Sequence, residues 1–146
     1  MSIEDDVALL ERVPTLRLLG TTALRMLAIG SEQRNFGRGD PLFNAGDDAD
    51  AGYVVQRGAF RVEDGGAEIV AGPGALIGEL ALIVAMRRPS SAVAIEPTTV
   101  IRVARSLFQR VLESDPAAAR RLRDELATRT SQLASDILIA GGKLST

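Results

Sequence analysis

Histidine and cysteine are both missing from the 146 residues, and that double absence excludes more chemistry than any other feature of the composition. Zinc sites of the common types draw on those two side chains. Ser–His and Cys–His nucleophilic machinery cannot be built without them, and no disulfide framework can form. Tryptophan is absent too, and aromatics make up only 3% of the chain, so there is little material for stacking platforms on single-stranded nucleic acid. A net charge of −2 provides no concentrated excess of Lys and Arg for a phosphate backbone. No apolar run approaches the roughly 20 residues of a membrane span. The first residues, Met1 to Asp6, lack the basic region of a signal peptide. The expectation is a soluble cytoplasmic protein, not an enzyme, with no metal and no catalytic residue to name. Asp47, Asp48 and Asp50 look at first like a cation site. They lack EF-hand spacing and a distal Glu, and are read as a solvated turn.

What is present fits a single domain, 1–146, of ordinary apolar (46%) and charged (25%) content. Residues 1–30 read as helices. Val7, Leu9, Leu10 and Val13 suit an amphipathic helix that Pro14 interrupts. Leu16 to Ile29 reads as a second helix, with Thr21 or Thr22 as cap and Gly30 as stop. From 31 to 104 the texture changes to short apolar runs broken by Gly, Asp, Asn and Pro, the mark of an all-β barrel or sandwich. Strands are expected around Phe36, at Leu42-Phe43, Tyr53 to Arg57, Ala59 to Glu63, Ala67 to Val70, Ala92 to Glu96 and Thr98 to Val103. Residues 105–140 return to helix. Ser106 and Gln109 fit a capping box, and Asp115-Pro116 marks a fresh start. Leu122, Leu126, Leu133 and Ile137 then form one stripe that packs on the barrel or meets a second copy, before Gly141-Gly142.

One stretch, Gly78 to Ala92, offers a small anion three things at close quarters. A glycine precedes a short apolar helical turn, whose unpaired N–H groups favour negative charge. Glu79 follows in its first turn, and Arg88 begins the next strand. A guanidinium suits bidentate phosphate binding, and a carboxylate accepts from sugar hydroxyls. Together they describe a pocket for a small phosphorylated sugar. Each residue also has a plain structural reading: an exposed Arg contributes little, and an acid in a helical first turn merely complements the dipole. Arg87 competes with Arg88 for the phosphate.

Gly78-Glu79-Leu80-Ala81-Leu82, followed by Arg88 and a Ser/Ala-rich strand start, resembles the phosphate-binding cassette of cyclic nucleotide-binding domains. The resemblance extends upstream to Gly46-Asp47, Tyr53 to Val55 and Gly58, and downstream through Phe108 and Asp115-Pro116, covering roughly Val13 to Ile137. It implies a mainly β fold: a β-jelly-roll barrel with the cassette at 78–92 and α-helices at both ends. It implies that Glu79 holds the ribose 2′-hydroxyl and Arg88 the cyclic phosphate, with Leu80 and Ala81 giving amides and apolar contact. Pro89 departs from the family, where Ser, Thr or Ala often supplies an N–H that proline lacks. Ser90 and Ser91 are candidates to compensate. Guanine-preferring members commonly carry Thr at the Pro89 position, so cAMP is favoured over cGMP. Arg129 falls where some members place an Arg against the base.

The family's transcription factors continue into a DNA-reading segment, and none is recognised before Thr146. The expectation is a sensor module that relays occupancy through its C-terminal helices to an effector, with a homodimer through the last helix as an option. The rival is a degenerate module that keeps the fold, binds no nucleotide and mediates dimerisation or protein interaction. If Arg88 holds the phosphate, Arg88→Ala lowers cyclic-nucleotide affinity at least about tenfold by titration calorimetry, the weight of one charge-assisted hydrogen bond.

Overall fold

Among the described residues, ten strands and the helices around them enclose two separate apolar cores. The computed structural model describes residues 2–64 and 66–128. Three helices come first: α1 (Ile3–Glu11), α2 (Pro14–Arg17) and α3 (Thr21–Gly30). The strands are β1 (Glu32–Phe36), β2 (Pro41–Phe43), β3 (Asp48–Ala49), β4 (Ala51–Arg57), β5 (Phe60–Asp64), β6 (Ala67–Ala71), β7 (Leu76–Ile77), β8 (Met86–Arg87), β9 (Ala92–Ala94) and β10 (Thr98–Ala104). A 3₁₀ helix, Glu79–Leu82, lies between β7 and β8, and α4 (Arg105–Ser114) and α5 (116–128) follow.

The strands form two four-stranded antiparallel sheets, β1-β10-β4-β7 and β2-β9-β5-β6, and a two-stranded ladder, β3-β8. This is the expected jelly-roll class with helices at both ends. Along β4, successive side chains point to opposite faces. Tyr53 and Val55 enter the core between the sheets, with Phe60, Ile77 and Val100. Val54 faces outward into a second core, where it meets Ile101, Val103 and the helices. β4 is therefore buried on both faces, which is why its sequence is continuously apolar rather than alternating. Leu10, Leu16, Leu24, Leu27 and Phe108 fill that second core.

Several local expectations are corrected. Leu16 to Ile29 is not one helix: it is cut at Gly20, whose φ of 85° is the left-handed conformation that glycine adopts freely. Gly20, not Thr21 or Thr22, is then the N-cap of α3. The Ser106/Gln109 box does not form, because α4 begins two residues earlier, at Arg105 with Ala104 as its cap. The Asp115 cap does form, its Oδ1 accepting from Ala118 N at 3.1 Å. Arg121 joins α5 to the N-terminal helices, donating to the carbonyls of Leu18 and Leu19 at 2.7 and 2.9 Å. Leu122 is buried in the helix-side core and Leu126 packs against it. Leu133, Ile137 and Gly141-Gly142 lie outside the described residues.

Phe60 is fully buried and meets Phe36 edge-on with ring centroids 5.5 Å apart, joining the two sheets. Phe60→Ala is expected to destabilise the fold by about 3–5 kcal/mol, read as a lower urea midpoint at unchanged slope.

Candidate functional site

The site is built on the ladder that sequence reading missed. Pairing of β3 with β8 sets Asp48 opposite Arg87 and Ala49 opposite Met86. Arg88 therefore directly follows β8 rather than opening β9. The Gly46-Asp47 turn holds its backbone on both sides: Arg88 N donates to Asp47 O at 2.7 Å, and Gly46 N donates to Arg88 O at 2.8 Å. Asp47, Asp48 and Asp50 are all exposed. The Asp47 carboxylate accepts from Asn44 N at 2.9 Å, while Asp50 pairs with Arg102 at 3.0 Å. No group of three or more acidic side chains placed to hold a metal occurs among the described residues.

With its backbone fixed, the Arg88 side chain runs inward and is only 5% exposed. Its Nη2 donates to Ala51 O at 2.8 Å, and its guanidinium carbon lies 4.2 Å from the Phe43 ring centre and 5.5 Å from that of Tyr53. The rings offer cation–π attraction. No ion pair joins Arg88 to any described carboxylate, and its Nε is buried without a hydrogen-bond partner among the described residues. Burial pulls its pKa below the ordinary value, with Tyr53 and Asp50 acting against the shift. Arginine nonetheless remains charged at neutral pH. Arg87, its competitor, is exposed on β8.

Gly78 makes this geometry possible in two ways. It sits at φ 80°, ψ 36°, the left-handed region, and turns β7 into the 3₁₀ helix. A Cβ there would also lie 2.5 Å from Arg88 Nη1 and 3.3 Å from Ala51 O. The glycine is therefore the space through which the guanidinium passes.

The rest of the cassette divides. Glu79 is half-buried, and its Oε1 accepts from Thr15 Oγ1 at 2.6 Å. Leu80 is 56% exposed, whereas Ala81 and Leu82 are buried. Ala81 N donates back to Gly78 O at 3.1 Å, so this amide is committed within the turn. Four residues of 3₁₀ helix also sum few peptide dipoles, which leaves Arg88 as the main attraction for an anion. Pro89 is exposed, and Ser90 lines the adjoining space. The Ser91 hydroxyl accepts from Ala45 N at 2.8 Å and its carbonyl from Glu63 N at 3.2 Å. Arg129 lies outside the described residues.

Two cavities meet here. The smaller, about 220 Å³, is lined by Phe43, Glu79, Leu80, Arg88 and Pro89 among others. The larger, about 510 Å³, runs along β6 and β7 past Ile69, Val70, Ala71 and Leu76. Val62, Ile77, Gly78 and Ser90 border both. A charged end and an apolar end in one continuous groove suit a ligand with an anionic head and a flat, weakly polar body. Sequence reading missed Phe43 and Tyr53 as partners of Arg88, though Tyr53, the only tyrosine, stands in a strand whose alternation points it inward. It also missed Thr15 and Arg105, for which no local signal exists.

A jelly roll with a buried arginine at one end of a groove defines a class of small-anion receptor. The model of the cyclic nucleotide-binding domain matches residues 33–115, and the chain belongs to that family. It is 35% identical over 104 residues to a cyclic AMP receptor protein of Thermus thermophilus, covering 67% of this chain but 48% of that protein. The chain thus spans about half the length of that relative. Among solved structures it resembles a cyclic nucleotide-binding-like protein of Brucella abortus (TM-score 0.65, 37% identity, 75% of this chain and 98% of that one). It also resembles the N-terminal domain of a transcriptional regulator of Streptomyces coelicolor (TM-score 0.76, 28% identity, 86% and 94%). No described helix is long and apolar enough to cross a membrane.

Gly78→Ala is expected to cost about 1–2 kcal/mol from the left-handed backbone alone, and to displace the Arg88 guanidinium as well. Urea denaturation checks the first effect. Loss of cyclic-nucleotide binding in the folded variant checks the second.

Proposed function

We propose that the chain binds a cyclic nucleotide reversibly, cAMP in preference to cGMP, and performs no chemistry on it. The observation that carries this reading is the buried Arg88 guanidinium: a cation with no described anionic partner and an orphaned Nε, set at the wall of a cavity. Burying an uncompensated charge costs several kcal/mol, and a cyclic phosphate in the smaller cavity supplies the missing counter-charge. Glu79, across the same cavity, accepts the ribose hydroxyl. The purine lies along Ile69, Val70, Ala71 and Ile77, whose apolar surface suits a flat ring. Pro89 and Ser90 border the phosphate end. Pro89 supplies no hydroxyl for a guanine amino group, which supports the preference for cAMP. With no histidine or cysteine anywhere in the sequence, reaction chemistry on the bound nucleotide has little to draw on.

Occupancy is relayed through α4. Arg105 opens that helix, and its Nη1 donates to the carbonyls of Ala49, Ala81 and Val84 at 2.8, 3.2 and 3.1 Å. Its backbone N donates to Asp50 O at 2.8 Å. These bonds tie the end of the cassette helix and the turn before β4 to the start of α4. A cassette that closes on a phosphate therefore biases α4, a population shift read by a further domain or partner protein. A homodimer through the last helix stays an option, and Leu133 and Ile137 of its stripe lie outside the described residues.

A thermal melt with millimolar cAMP, cGMP or AMP tests the reading. Ligand at a hundred times its dissociation constant adds about 2.7 kcal/mol of stability, a visible upward shift. The expected order is cAMP, then cGMP, with none for AMP. No shift with any of them would instead mark a fold retained for protein interaction.

A further inference from the structure

We propose that Thr15 is a positioning residue for Glu79 and sets how strictly the site demands a ribose 2′-hydroxyl, an inference that rests on the cyclic-nucleotide reading above. Thr15 belongs to the N-terminal helices, far from the cassette in sequence, yet its hydroxyl donates to Glu79 Oε1 at 2.6 Å. It is only 4% exposed. Its neighbours hold it still: Pro14 locks the first position of α2, and Leu16 is completely buried. The donor is thus rigid, while the acceptor is a side chain with several rotatable bonds.

A 2.6 Å O–H···O⁻ contact is short and charge-assisted. It selects one orientation of the carboxylate and removes rotamer freedom that a ligand would otherwise have to remove on binding. It does not exhaust the group, because an ionised carboxylate has about four acceptor positions. Glu79 lines the same cavity as Arg88, so a carboxylate fixed by Thr15 faces a sugar whose phosphate Arg88 has placed. A flexible carboxylate could follow either a 2′-hydroxyl or a water. A fixed one rewards a hydroxyl at a single point and cannot follow a ligand that lacks it.

Calorimetric titration of the chain with cAMP and with 2′-deoxy-cAMP tests this, each variant first checked for a cooperative melt. The wild type is expected to prefer cAMP by about tenfold or more, the weight of one charge-assisted hydrogen bond. In Thr15→Val, which keeps the shape and removes the donor, the preference falls below about threefold with 2′-deoxy-cAMP affinity nearly unchanged. Thr15→Ser restores it. Thr15→Ala, a second probe should the valine variant not fold, behaves like Thr15→Val. Glu79→Gln also lowers the preference, and adding Thr15→Val to it changes nothing further, as for two residues acting through one contact. A wild-type preference retained in Thr15→Val and Thr15→Ala, or affinity lost equally for both ligands, overturns the proposal and leaves Thr15 a packing residue. A wild type that binds neither nucleotide overturns the cyclic-nucleotide reading, and this inference falls with it.

Discussion

A guanidinium that is almost wholly buried at a cavity wall must be held by the protein and then satisfied by something else. Arg88 meets both conditions. Its backbone is pinned by the Gly46-Asp47 turn, one Nη reaches Ala51 O, and Phe43 and Tyr53 lie beside its planar face. Those contacts offset part of the cost of desolvation, but they bring no negative charge. The surrounding structure is arranged to allow this. Gly78 has no side chain where the guanidinium passes, and the β3-β8 ladder aims the residue inward. The same arrangement that is costly in the free protein keeps a charged donor in place at the cavity wall.

The two cores explain how one local site is connected to both helical ends of the chain. β4 lies between them, with Tyr53 toward the sheets and the guanidinium, and Val54 toward the helices. The cassette turn bridges the same boundary: Leu82 is part of the helix-side core, while Gly78 faces Arg88. Two polar links then fasten that turn, Thr15 to Glu79 from the N-terminal side and Arg105 to the Ala81 and Val84 carbonyls from the C-terminal side. Both cross long sequence separations. A cassette packed on a rigid sheet but bonded to two sets of helices is suited to moving those helices by small displacements.

Much of this was legible in the residues. Gly78, Glu79 and Arg88 lie within one short stretch with strong local signals, and the change from apolar periodicity to Gly- and Asp-broken runs marks the passage from helix to sheet. What was not legible depends on pairing across space. β3, β7 and β8 are two-residue strands, too short for alternation to show, and they exist because a partner strand lies opposite. The bond from Ala45 N to the Ser91 hydroxyl likewise joins residues far apart in the sequence. The Ser106 box was sound as a local pattern and lost because β10 runs directly into α4. Thr15 and Arg105 had no local signature at all. Their roles come from the chain returning to one point, which spacing along the sequence does not encode.

The most direct measurement follows the Nε–H signal of Arg88 by ¹⁵N NMR as cAMP is added, assigned through its loss in Arg88→Lys. A phosphate taken up by the guanidinium gives that orphaned donor a charged acceptor. The account predicts a saturable shift of this signal, with slower solvent exchange, in step with the cassette amides of Gly78 to Leu82. Saturable shifts of the amides with an unmoved Arg88 Nε–H would contradict it, since the nucleotide would then be held without the buried cation.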